Sequence, residues 1–195
     1  FWIWVSNMVK TGGLGRSLKL KRDISDILAE KILVSFRLNV FPYFIGIPVG
    51  IGLGIWAALK KNKITDHIIS TGVIFFISVP SFVVGTMMQY YVVYVWKWID
   101  SPFVSSETDF AVDPVKGIFT YFMPMLVLLL YTVAGLTRVM RAELTEVLTS
   151  EFMLLSRTKG LTRAQSTVRH ALRNALVPIS PSLIGGLVSL LSGSL

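Results

Sequence analysis

Hydrophobic positions along the chain gather into four long stretches separated by polar connections. They cover residues 38–59 (LNVFPYFIGIPVGIGLGIWAAL), 68–98, 118–137 and 175–195, and none contains an Asp or Glu. About 20 apolar residues at 1.5 Å each cross a hydrocarbon core of about 30 Å, so each stretch is long enough to span a bilayer. Buried helices of a soluble protein keep a polar face, and these stretches show none. The pattern predicts an all-α, polytopic membrane bundle with four spans, preceded by an external amphipathic segment over residues 1–37.

Six prolines fall inside the stretches: Pro42, Pro48, Pro80, Pro124, Pro178 and Pro181. In a membrane bundle, neighbouring helices satisfy the carbonyls that proline leaves open, so kinks rather than breaks are expected. The second stretch is long enough to tilt or bend near Ser78-Val79-Pro80-Ser81. Its far end carries Tyr90, Tyr91, Tyr94, Trp96 and Trp98, as where a span meets headgroups. Gly46, Gly50 and Gly54 recur at four-residue spacing, and Gly185, Ser189 and Gly193 repeat it. Small residues on one helical face let backbones approach closely, so both sets are expected at helix contacts.

The connections differ in character. Residues 60–63 form a short basic turn with Lys60, Lys61 and Lys63, whereas residues 99–117 are acidic, with Asp100, Glu107, Asp109 and Asp113. Residues 138–174 are polar, basic and helix-prone. Before the first span, Asp23-Ile24-Ser25-Asp26 reads as a helix start. Counting Lys and Arg on the two sides gives nearly a tie, and only the dense lysine turn favours placing its side, with residues 138–174, in the cytoplasm.

Composition agrees with a membrane protein. Of 195 residues, 53% are hydrophobic and 15% charged, too few charges to wet a soluble domain. Mean hydropathy is +0.65. The net charge of +8 is scattered around the apolar stretches rather than forming a nucleic-acid-binding stripe. With no cysteine, disulfides, thiolate metal sites and cysteine catalysis are excluded. There is no G-x-x-x-x-G-K-[ST], no H-E-x-x-H and no G-x-S-x-G, and the two histidines, His67 and His170, read as surface residues rather than metal ligands. No catalytic residue, metal site or cofactor is expected in this chain. The absence of intramembrane carboxylates argues against an ion-coupled transporter.

The informative connection is Glu151-Phe152-Met153-Leu154-Leu155-Ser156-Arg157-Thr158-Lys159-Gly160-Leu161-Thr162-Arg163, followed by a second helix-prone run that enters the last stretch at Ala175. Gly160 divides the segment into helix, turn, helix. Such a hairpin is either an ordinary surface element or a docking element that passes motion to a partner. The run SRTKGLTRAQSTVRHALRNALVPI resembles the cytoplasmic loop of binding-protein-dependent ABC importer permeases, more narrowly the oligopeptide/dipeptide/nickel group. Gly160 matches the loop glycine, and His170-Ala171-Leu172-Arg173-Asn174-Ala175-Leu176 with Pro178 matches the group's downstream run. Gly13-Leu14-Gly15-Arg16-Ser17 with Ile24-Ser25-Asp26-Ile27 resembles the external segment of the B-type subunit, and Ser78-Val79-Pro80-Ser81-Phe82 resembles a span motif of that subunit. The chain departs from the wider superfamily in having Leu154-Leu155-Ser156 where that loop reads Glu-Ala-Ala.

The resemblance implies a type I (MetI-like) ABC permease domain over residues 38–195, multi-pass in the cell (plasma or inner) membrane. Such subunits have six spans, so the first span, and whatever follows the fourth seen here, are expected to lie outside this stretch. The implied partners are a second permease subunit, two cytoplasmic ATPase subunits that bind ATP and Mg, and an extracellular substrate-binding protein. The implied cargo is an oligopeptide or dipeptide, with a metal chelate as the third possibility. Coupling would run through Glu151, Phe152, Met153, Leu155, Ser156, Arg157, Lys159, Gly160 and Arg163. Phe152, Met153 and Leu155 would fill a groove on the ATPase, while Arg157, Lys159 and Arg163 meet its rim; the competing reading packs those apolar residues under their own spans. A secondary transporter or channel is the alternative from another class, and a purely structural anchor fits the proline-broken spans poorly.

Overall fold

The structure, a computed structural model, describes residues 2–100, 103–104 and 112–192. Among the described residues the chain is helical apart from turns and one isolated antiparallel bridge, Arg16 to Asp23. Helix α1 (Trp2–Thr11) ends in a loop where Gly12 and Gly15 take positive φ, and the Trp4 indole donates to the Leu14 carbonyl. Asp23 then stands at the N-cap position of α2 (Ile24–Leu59), its backbone carbonyl accepting from the Ile27 N–H at 3.2 Å, and the helix starts where the Asp-Ile-Ser-Asp run predicts. Helix α2 runs through Pro42 and Pro48 without a break, so the expected border between an external segment and a span at residues 37 and 38 lies inside one continuous helix. At about 1.5 Å per residue its 36 residues extend for about 54 Å.

A tight lysine turn with Asn62 at positive φ leads to α3 (Ile64–Ser78). Helix α3 stops at Val79-Pro80, and α4 (Ser81–Gln89) continues into a π-helical segment, Tyr90–Val95. The bend is where it was expected but is far larger than a kink, 90°. Two things set it. Pro80 supplies no N–H to the preceding turn, and the Tyr131 hydroxyl donates to the Val79 carbonyl, with Phe76 edge-on to the Tyr131 ring. The aromatic residues at the far end are exposed, and the Trp96 and Trp98 rings lie 4.8 Å apart.

Helix α5 (Pro114–Thr149) starts with Asp113 accepting from the Lys116 N–H and proline at its first position, then carries the third apolar stretch 12 residues beyond its expected end. It runs parallel to α2. The pairs Gly46 with Thr132, Gly50 with Leu136 and Gly54 with Met140 keep one constant register along the seam. A methyl on Gly50 would sit 2.8 Å from Leu136 Cβ and one on Gly54 would sit 2.6 Å from Met140 Cβ, so no larger residue fits without moving a helix. Thr137 closes the seam by donating to the Gly50 carbonyl at 3.1 Å.

After α5 come α6 (Glu151–Thr158), α7 (Arg163–Ser166), a π-helical turn (Thr167–Ala171), α8 (Leu172–Leu176) and α9 (Ser180–Ser192). The fourth stretch is therefore also a bent pair, turned by 50° at Val177-Pro178-Ile179. Helices α2 and α5 are each long and apolar enough to cross a membrane singly. The expectation for the second small-residue set needs correcting. A Cβ on Gly185 would meet nothing within 4 Å, whereas one on the neighbouring Gly186 would lie 2.6 Å from the Tyr43 ring. Gly186 is the contact position because Tyr43, whose hydroxyl donates to the Leu183 carbonyl, leans against that turn of α9. The Ser189 side chain and Gly193 lie outside the described residues. The main core gathers Ala58, Met140, Leu144, Met153, Ala171, Ala175 and Ile179 at one end of the bundle.

Candidate functional site

Helix α6 breaks from α5 at Ser150, whose extended backbone ends the long helix and whose hydroxyl donates back to the Val147 carbonyl at 2.7 Å. The eight residues of α6 then divide by face. Met153 and Ser156, three apart, point inward: Met153 is 1% exposed within the core, and the Ser156 hydroxyl donates to the Met153 carbonyl at 2.9 Å. Phe152, Leu154 and Leu155 point outward, at 46%, 65% and 56% exposure. Glu151, Lys159 and Arg163 are exposed as well. The Arg157 side chain lies outside the described residues.

Two sequence assignments are corrected by this division. Met153 and Ser156 are not surface contacts, because helical spacing puts both on the side that α6 presses against α5 and α7. Leu154 takes the outward place instead. Burial of Met153 agrees with the competing reading, in which these apolar residues pack under their own spans; a helical wheel of eight residues with four consecutive apolar positions does not say which of them is sealed.

Gly160 has φ +87°, and a Cβ there would touch nothing within 4 Å. Its role is conformational: the left-handed turn that ends α6 strains any residue with a side chain. Thr162 then restarts the chain with a capping box, accepting from the Gln165 N–H while the Gln165 side chain accepts from the Thr162 N–H. Phe152 meets the His170 ring edge-on at 5.7 Å, which ties the outer face of α6 to the return segment.

One residue pair at the same end escaped the sequence reading. Asp66, 1% exposed in the first turn of α3, accepts from Arg141 Nε at 2.5 Å and Arg141 Nη2 at 2.8 Å. It also accepts from the Asn62 N–H at 2.9 Å and the Ser70 hydroxyl at 3.2 Å. Both carboxylate oxygens are thus satisfied, as a buried charge requires. The pair joins the α3 start to the α5 helix that carries α6. Its partners are 75 residues apart, so the one local signal was a lone acid beside the lysine turn.

This arrangement has no nucleophile and base in contact and, among the described residues, no group of three metal-ligating side chains. What it offers is a short helix sealed on one face and apolar on the other, mounted on the ends of long membrane helices. Comparisons with known proteins identify the setting. The chain is 32% identical to the dipeptide transport system permease protein DppB of Lactococcus lactis subsp. cremoris, over the whole chain and 60% of that relative. It is 27% identical to the oligopeptide transport system permease protein OppB of Haemophilus influenzae, over the whole chain and 61% of the relative. It is 28% identical to OppB of Mycobacterium bovis, over 98% of the chain and 61% of the relative. The chain thus spans about three fifths of the length of these curated relatives. Residues 50–195 match the family described as binding-protein-dependent transport system inner membrane component, and the chain belongs to that family of membrane permeases.

Proposed function

We propose that the protein is a pathway-forming permease subunit of an ATP-driven importer for peptides, and that α6 is where it is coupled to ATPase subunits. The observation that carries this reading is the two-faced α6: Leu154, Phe152 and Leu155 exposed, and Met153 sealed into the core formed with α5 and α8. An apolar outer face on a helix that stands outside the spans calls for a protein partner with a complementary groove. Lys159 and Arg163 would meet the acidic or polar rim of that groove. The names of the relatives support a peptide cargo and a transport system with several components.

In this reading the end carrying α6, the lysine turn and Arg138 faces the cytoplasm, as the local density of Lys and Arg favours. Two ATPase subunits bind ATP and Mg there, a second permease completes the pathway, and an external binding protein delivers cargo. This chain itself performs no chemistry and binds no cofactor. When the ATPases close, they push on α6. Because Met153 is packed among Met140, Leu144 and Ala175, the push is delivered to α5 and α8 rather than absorbed by a loose loop.

The test is Leu154→Asp in the full-length subunit, assembled with its partners in proteoliposomes. Leu154 is 65% exposed, so folding and insertion stay near wild type. A carboxylate forced into an apolar contact costs several kcal/mol, enough to reduce uptake and substrate-stimulated ATP hydrolysis more than tenfold. Wild-type values for both, with assembly confirmed, would refute the coupling role.

A further inference from the structure

The cleft where α3 meets the last third of α5 has no part in the coupling just described. It measures about 260 Å³ and is lined by Ser70, Val73, Ile74, Arg138, Arg141 and Ala142, together with Thr137. We propose that this cleft binds an anionic phospholipid, with the phosphate held by Arg138 and Arg141 and an acyl chain lying along Val73 and Ile74.

Four observations converge on that ligand. Arg138 and Arg141 are three residues apart on α5 and so share a face. Arg141 spends Nε and Nη2 on Asp66, which compensates its charge and fixes its plane, yet its side chain lines the cleft and keeps 32% exposure, with further N–H donors beyond those two bonds. Arg138 has no ion-pair or hydrogen-bond partner among the described residues, so one positive charge at the cleft is uncompensated. Lys60, Lys61 and Lys63, all exposed, stand in the turn that leads into α3 and raise the positive potential at this end.

The walls choose between a lipid and a free phosphate. Ile74 is 62% exposed and Val73 half-buried, an apolar surface below the guanidinium groups for which a soluble phosphate has no use. Arg138 also directly follows the apolar stretch of α5, the depth at which phospholipid headgroups lie. Basic clefts between membrane helices at this depth suit an anionic headgroup.

The experiment uses the full-length subunit in its assembled complex, reconstituted in equal parts phosphatidylglycerol and phosphatidylcholine and then stripped to tightly held lipid for native mass spectrometry. The wild type should retain phosphatidylglycerol in preference to phosphatidylcholine. Arg138→Gln, at an exposed and unpartnered position, should lower that preference about fivefold, the contribution of one cation near a membrane surface. Arg138→Lys should lose less, and Lys19→Gln, at the opposite end of α2, should lose nothing. Undiminished preference in Arg138→Gln, or an equal fall in Lys19→Gln, would overturn the site. Millimolar inorganic phosphate should leave the bound lipid in place; its displacement by phosphate would assign the cleft to a soluble anion instead.

Discussion

Replacing Gly54 with alanine tests the seam on which the bundle is built. The added methyl would lie 2.6 Å from Met140 Cβ, 2.9 Å from the Thr137 carbonyl oxygen and 3.0 Å from Met140 Cγ. Carbon atoms in favourable contact are about 3.5–4.0 Å apart, so α2 and α5 must part by about 1 Å at this point. The obstacle is main chain and Cβ, which no rotamer change removes. Parting also stretches the hydrogen bond from Thr137 to the Gly50 carbonyl, now 3.1 Å, for a further loss of about 1 kcal/mol. Overpacking costs about 1–3 kcal/mol, and the better helix propensity of alanine returns up to about 1 kcal/mol. The net loss should be about 1–3 kcal/mol. Gly52 is the internal control: a Cβ there meets nothing within 4 Å, so Gly52→Ala should be neutral or slightly stabilising. Gly46→Ala should fall between them, because its nearest obstacle is the Thr132 methyl, a side-chain group that can yield only by giving up the hydroxyl's bond to the Leu128 carbonyl. Unfolding midpoints of the purified full-length subunit in detergent would rank the three. Equal midpoints for Gly54→Ala and Gly52→Ala would show that the seam does not hold the bundle.

Further expectations concern the polar pair, the turn and the topology. Asp66→Asn should destabilise the subunit by about 2–3 kcal/mol, at the low end for a buried pair because the Arg141 side chain keeps 32% exposure; pairing Asp66→Val with Arg141→Met should recover most of the loss in the same unfolding assay. Gly160→Val should strain the φ +87° turn by about 1–3 kcal/mol and lower coupled uptake while membrane level, read by immunoblot, stays normal. As the chain has no cysteine, single cysteines report topology cleanly. A cysteine at exposed Phe103 should react with an impermeant thiol reagent in intact cells, and cysteines at Lys61 and Lys159 only after permeabilisation; the reverse pattern would invert the proposed orientation.

Much of the architecture was legible because membrane physics writes it in one dimension. Uninterrupted apolar length marked the four stretches, Asp23 the start of α2, Pro80 the bend and Gly160 the turn after α6. What could not be read was set by contacts between distant segments. The 90° angle depends on a hydroxyl from Tyr131 reaching the Val79 carbonyl. The choice of Gly186 over Gly185 depends on where Tyr43 stands. Pairing of Asp66 with Arg141 and burial of Met153 in place of Leu154 depend on how α3 and α6 dock on α5. Periodicity names the candidates for a face, and the neighbouring helix decides which of them is covered.

The seam between α2 and α5 also limits how the bundle can move. Its three notches recur every four residues, a rise of about 6 Å along the axis. A slide of one helix along the other by less than that drives a side chain onto a closed backbone, so intermediate positions are blocked like the space between the teeth of a ratchet. In the coupling proposed for α6, a small displacement delivered there would carry both rods together. The bundle would then swing as one body, leaving the right-angled joint at Val79-Pro80 and the shallower one at Val177-Pro178-Ile179 as the places to take up a change of shape.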